Sequence, residues 1–224
     1  MLERQTDHEP VSDIKAYLQR DEAKTMLATT KSDESSTKAW RVHEFGPPEK
    51  MICETIPRPR PGPGEVLVKV RAAGVGPWDA WIRAGKSALP QPLPLTLGSD
   101  LTGEVLSVGP DVSGFAVGDR VFGVTNSQFL GAYAEHAIAS AAMLSRKPIS
   151  LSHIGAASVP VVAVTAWQAL FDHARLQAGQ TVVIHGAAGS VGSFAVQLAR
   201  RARLRSVVRE LKTSNTCEYS VQTR

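Results

Sequence analysis

The segment that most constrains this chain is Thr181–Ala199, TVVIHGAAGSVGSFAVQLA. Its first five residues carry apolar side chains on both faces, the pattern of a strand buried inside a parallel sheet. A run of small residues then turns the chain. Phe194, Val196, Leu198 and Ala199 continue as an amphipathic helix. A strand, a glycine-rich turn and a helix in that order predict a βα unit whose helix N-terminus faces a phosphate. Gly189 lets the backbone approach a pyrophosphate, and Gly192 lets the helix pack closely on the strand. The helical N–H groups near Ser190 and Val191 would face the negative charge. Ala187 stands where the first glycine of G-x-G-x-x-G is usual, with Gly186 before it and Ala188 after it. The other reading of the segment is a tight βα connection with no ligand.

Upstream the texture differs. From Trp40 short β-like segments are divided by glycine and proline: AWRVHEF, MICETIP, then RPRPGPGEVLVKVRAAGV. The PRPGPGE run is a turn that launches a strand with Val66, Val68 and Val70 on one face. TGEVLSVGPDVSGFAVGDRVFGV supplies two more strands around Gly/Asp turns, and GAYAEHAIAS another. Many short strands at close spacing predict a barrel-like β domain. Between it and the βα unit lie two short helices, the first capped by Ser152 and the second opening on Pro160.

The outer parts are less informative. Residues 1–38 read as a polar, disordered leader, although Val11, Ile14 and Leu18 share helical spacing. The net charge of +4 is local: from Arg200 onward there are seven Lys/Arg and two acids, so the rest is near neutral. A basic nucleic-acid groove is therefore not indicated, and base-stacking aromatics are missing from the arginine-rich end. No apolar run reaches membrane-spanning length, and the N-terminus lacks the pattern of a secretory signal. Cys53 and Cys217 are far apart and form no CxxC pair, which agrees with a reducing, cytoplasmic setting.

The chain resembles the medium-chain dehydrogenase/reductase superfamily, and within it the zinc-independent quinone oxidoreductase branch. The resemblance rests on AAGSVGSFAVQLA, RPGPGEVLVKVRAAGVGPWDAWIRAG, LGSDLTGEVLSVGPDVSGFAVGDRVFG and VTAWQAL, in order and in spacing, from about Trp40 to Ala202. It implies an α/β protein: a GroES-like β-barrel catalytic domain over 39–150, then linking helices and the start of a Rossmann domain over 151–202. It implies NADPH as cofactor, with NADH left open, and a quinone or enone as substrate. Full-length members are often homodimers.

The same resemblance directs attention to specific positions. Residues Gly186 to Gly192 match the cofactor turn, and Thr165 a position touching the nicotinamide end. Asp79 and Trp81 match positions near nicotinamide and acceptor, where the family often has Tyr at the latter and Asn at Gly76. Asp79 has a second reading, in which it holds its turn through Asx-type bonds. Trp81 can stack on a flat substrate but has no phenol hydroxyl to give a proton. Trp78 reads as core.

Ligand chemistry argues against a metal. Zinc-dependent relatives carry a cysteine where this chain has Gly76, and Gly-His-Glu where it has Gly98-Ser99-Asp100. The four-cysteine lobe is absent, and His8, His43, His136, His153, His173 and His185 form no ligand-spaced cluster. Hydride delivery to a conjugated acceptor is the chemistry that then remains.

After Ala202 the family continues with a strand that reads the ribose 2′ position. Here RLRSVVRELKTSNTCEYSVQTR follows, in which SVV is short for a strand, and residues 203–224 read as a basic tail outside the family pattern. The chain is expected to be a truncated or frameshifted member. Two function classes stay open: a hydride-transferring reductase, and a non-catalytic remnant or interaction module.

Overall fold

The computed structural model describes residues 35–89 and 91–209. The leader helix expected around Val11, Ile14 and Leu18, and Cys217 in the tail, lie outside the described residues.

Two sheets form the β-rich part, the larger of them antiparallel throughout. The smaller has the order β2-β1-β4, from β1 (Ser36–Val42), β2 (Met51–Pro57) and β4 (Leu95–Thr96). The larger has the order β7-β3-β5-β6-β8. Its members are β3 (Glu65–Ala73), β5 (Asp100–Val108), β6 (Arg120–Val124), β7 (His136–Ser140) and β8 (Leu144–Arg146). An isolated bridge between Ala39 and Ala134 ties β1 to the segment entering β7. The leader expected to reach residue 38 gives way sooner, because β1 already begins at Ser36.

The proline–glycine turn works as its residues dictate. Gly64 takes a positive φ of 75°, and the Glu65 carboxylate accepts from the Gly62 amide at 2.9 Å. Val66 and Val68 are then fully buried, with Leu101, Val105 and Val121 across the ladder. Leu67, on the opposite face of β3, is buried as well. Gly103 pairs with Val70 where β5 lies close on β3: a Cβ there would run into the Lys69 carbonyl oxygen.

The helices connect this part to the βα unit. The first, α1 (Pro77–Arg83), follows β3. Next come α2 (His153–Ala157), whose Ser152 side chain accepts from the Gly155 amide at 3.0 Å, and α3 (Pro160–Trp167), which opens on its proline. Helical winding continues through a π-type stretch, Gln168–His173, that buries Leu170. Strand β9 (Thr181–His185) and helix α4 (Ser190–Arg201) then complete the unit read from the sequence.

One expectation is corrected here. The segment after Ala202, read as too short for a strand, forms β10 (Arg205–Arg209), which pairs parallel to β9 with Val207 opposite Val183. Leu204 is buried with Ala166, Leu170, Ile184, Ala195 and Ala199. Lining up against an existing parallel edge supplies the backbone bonds that a serine and two valines alone do not specify. Among the described residues, no helix is long and apolar enough to cross a membrane.

Candidate functional site

The turn between β9 and α4 is built on its glycines. Gly186 takes φ 68°, with open space where a Cβ would be, so its requirement is conformational. Its carbonyl accepts from the Gly189 amide at 2.9 Å. The requirement at Gly192 is spatial: a Cβ would collide with the Gly186 carbonyl oxygen and lie 2.7 Å from the Ala187 Cα. Helix α4 therefore starts hard against the turn. Gly189 caps it in extended geometry without a side chain, which leaves the first-turn amides of Ser190, Val191 and Gly192 outside the intrahelical ladder. Ser190 is exposed, and Gly186, Ala188 and Gly189 form the exposed rim, while Ala187 packs inward. A cradle that only glycine can form, ending in unpaired amides at a helix N-terminus, suits a phosphate.

Ser190 and Val191 line a cleft of about 600 Å³. Across from them stand Gly76, Trp78 and Asp100 from the β-rich part, with Ala157 and Val162 from α2 and α3. The sequence-predicted turn and the segment GPWDAW thus meet in one cavity. A second apolar hollow of about 680 Å³ lies among Trp40, Cys53, Val70 and Tyr133 and shares Ala72, Ala73 and Val75 with the first.

The wall opposite the turn is a hydrogen-bonded assembly. Asp79 Oδ2 accepts from the Gly76 amide at 2.8 Å and from the Tyr133 hydroxyl at 2.9 Å. The Asp79 carboxylate is 5% exposed, and burial pushes its pKa up against the pull of these bonds. Its Oδ1 makes no hydrogen bond; the Gly98 amide lowers the pKa from a position short of bonding geometry. Burial, with the Asp79 and Asp100 charges, raises the Tyr133 phenol as well. The Tyr133 ring lies on Gly98, whose φ of 90° and lack of a side chain permit the approach.

Asp100, also 5% exposed, is the second buried carboxylate. Its Oδ1 accepts from the Val161 amide at 2.8 Å, and its Oδ2 from the Ser99 hydroxyl at 3.3 Å. Ser99 in turn accepts from the Trp78 indole N–H at 2.9 Å. Burial is the main reason the Asp100 pKa rises from 3.8 to about 6, with the Asp79 charge adding to it. Trp78 is packed as read from the sequence, edge-on to Phe129 at 6.4 Å, yet it also faces the cleft.

The remaining sequence-predicted positions stand apart. Asp79 makes the turn-holding bond and is not among the cleft-lining residues. Trp81 is 57% exposed and is not among the cleft-lining residues. Thr165, on the exposed side of α3, donates to the Val161 carbonyl at 2.7 Å. Tyr133 and the bond from Asp100 to Val161 were not legible in the sequence, because nothing local marks a partner more than 50 residues away. Among the described residues, no group of three or more His, Cys, Asp or Glu side chains is arranged to hold a metal ion.

Residues 62–149 match the family described as "Alcohol dehydrogenase GroES-like domain". Human quinone oxidoreductase is 41% identical over 164 residues, which is 73% of this chain and 49% of that protein. The quinone oxidoreductase of Coxiella burnetii superposes with a TM-score of 0.70 at 35% identity, covering 77% of this chain and 56% of that one. A mycobacterial protein solved in complex with NADPH superposes with a TM-score of 0.68 at 34% identity, covering 77% and 51%. The chain spans about half the length of the curated relatives it matches.

Proposed function

The chain belongs to the medium-chain dehydrogenase/reductase superfamily, and from that membership we propose that it serves an NADPH-dependent reduction of a quinone or activated alkene without zinc. The observation that carries the reading is the cleft in which Ser190 and Val191, at the end of the Gly186–Gly192 turn, face Gly76, Trp78 and Asp100. NADPH-bound and quinone-oxidoreductase relatives support the choice of cofactor and acceptor.

The residues present fit a dinucleotide. The Ser190, Val191 and Gly192 amides would hold its pyrophosphate, with Gly186, Ala187, Ala188 and Gly189 forming the turn that lets it approach. Thr165 is proposed at the nicotinamide end, and Trp81 with Asp79 on the acceptor side. When bound, the nicotinamide supplies the hydride. The chain's own residues bind and orient: Trp78 offers an apolar wall, and Asp79, held by Gly76 and Tyr133, fixes the shape of the turn beside it.

Zinc-free chemistry is supported by what fills the ligand positions. A side chain on Gly76 would fall inside the Trp78 indole, and Ser99, fully buried, is engaged by that indole's N–H. Neither position offers a thiolate or imidazole, and at Gly76 the Trp78 indole leaves no room for one.

The second reading, a non-catalytic interaction module, draws on Val183 and Val207, paired across the β9–β10 sheet and half exposed. Thermal unfolding with and without NADPH separates the two. The reductase reading expects a rise in Tm that saturates with cofactor and disappears in Gly192→Ala. No rise at ~1 mM NADPH, well above the affinity such a site needs to act, would sink it.

A further inference from the structure

Asp100 is a buried carboxylate for which the proposed chemistry has no use, yet it is bonded to both walls of the cleft. Its Oδ1 holds the amide of Val161, in the first turn of α3. Its Oδ2 holds Ser99, and through Ser99 the indole of Trp78 on α1. Residues Trp78, Asp100 and Val162 all line the same cavity.

We propose that Asp100 is a positioning residue that couples the Trp78 wall of the cleft to the start of helix α3 through one carboxylate. The inference rests on these bonds and does not depend on the proposed reduction.

The coupling has a direction. As a carboxylate, Asp100 accepts from the Ser99 hydroxyl, whose oxygen is then free to accept the Trp78 N–H. With a proton on Oδ2, Asp100 becomes the donor to Ser99. The Ser99 hydrogen must then turn away inside a fully buried site, and the indole shares its acceptor with a second donor. Protonation therefore reaches Trp78 and Val161 together, with a midpoint near the Asp100 value of about 6. The titratable groups around it are Asp79 on α1 and Tyr133 before β7, bonded to one another. On α2, His153 Nδ1 is bonded to Thr102. Thr102 already donates its hydroxyl hydrogen to the Val121 carbonyl at 2.8 Å, so His153 is the donor in that pair.

The test is a pH titration of the intact chain by proton–nitrogen NMR, following the Trp78 indole N–H and the Val161 amide. Trp78→Phe assigns the indole among the four tryptophans. The two signals are expected to move with one midpoint. In Asp100→Asn, both lose the shared transition with its midpoint near 6, any smaller change that remains at Trp78 belongs to Asp79 on the same helix, and the Trp78 shift resembles that of the wild type at low pH. Ser99→Ala should uncouple Trp78 while Val161 keeps titrating, which guards against a general loss of structure. Losing the charge-assisted bond in Asp100→Ala should speed Val161 amide exchange about tenfold or more. Separate midpoints for the two signals, or a common transition near pH 6 that survives Asp100→Asn, would overturn the proposal. So would unchanged Val161 exchange in Asp100→Ala.

Discussion

In the five-stranded sheet, Val66, Val68, Leu101, Val105 and Val121 are shut off from solvent; in the β9–β10 sheet, Val183 and Val207 face one another across the ladder and are 54% and 51% exposed. The two sets of residues are equally apolar. Their difference is in what lies over them. Strands β3 and β5 have neighbours on both edges and a core on the inner face, so their alternation is fully used. Strand β9 buries Ile184 against α3 and α4, while its odd face, written for a covered sheet, stays open among the described residues. An apolar pattern states which face seeks cover, and only neighbouring elements supply it.

The strongest challenge to this contrast is a matched pair of truncations. Leu101→Ala should cost about 3–5 kcal/mol and Ile184→Ala about 2 kcal/mol, since the looser surroundings of Ile184 can relax into the space. Urea midpoints would measure both, and equal losses would show that the second cluster is as tightly packed as the first.

A second experiment addresses the joint between the regions. The pKa of Asp100 is raised in the folded state, so the native protein retains a proton that the unfolded chain has released between pH 3.8 and about 6. Its contribution to stability is therefore present below that window and is lost as pH rises through it. Relative to Asp100→Asn, the wild type should lose up to about 3 kcal/mol between pH 3.5 and 7. Parallel stability curves for the two proteins would mean that Asp100 is not the group responsible.

Third comes the turn. Gly192→Ala should cost about 1–3 kcal/mol through collision with the Gly186 carbonyl, and Gly186→Ala about 1 kcal/mol through its positive φ. Both losses should appear in amide exchange of β9 and α4 while the five-stranded sheet keeps its protection. Loss of protection in both regions would show that they unfold as one. The smallest effect belongs to Val183→Thr, within about 0.5 kcal/mol if that face is open to water. A loss above 1 kcal/mol would mean that something covers it.

Much of the fold was legible because its signals are local. The Ser152 cap, Pro160 at the start of α3, the Gly64 turn and the β9-turn-α4 unit each rest on a few consecutive residues. Strand β10 was missed because SVV by itself does not select a strand; the edge of β9 does. In the site, the cofactor turn could be read but its neighbours could not. Asp79 stands out in the sequence by its position in GPWDAW, and only the structure gives it Tyr133 as a partner, 54 residues away.

The sequence by itself determined the backbone requirements: which residues turn, which begin helices, and where glycine alone fits a positive φ. These are decided by sterics within a few peptide units. Tertiary structure decided that Asp100, 61 residues before Val161, would hold the start of α3, and that Trp78 would fill the space above Gly76. It also decided which valines remain wet. Burial and hydrogen-bond pairing depend on surfaces brought together from distant parts of the chain, and no local pattern specifies them.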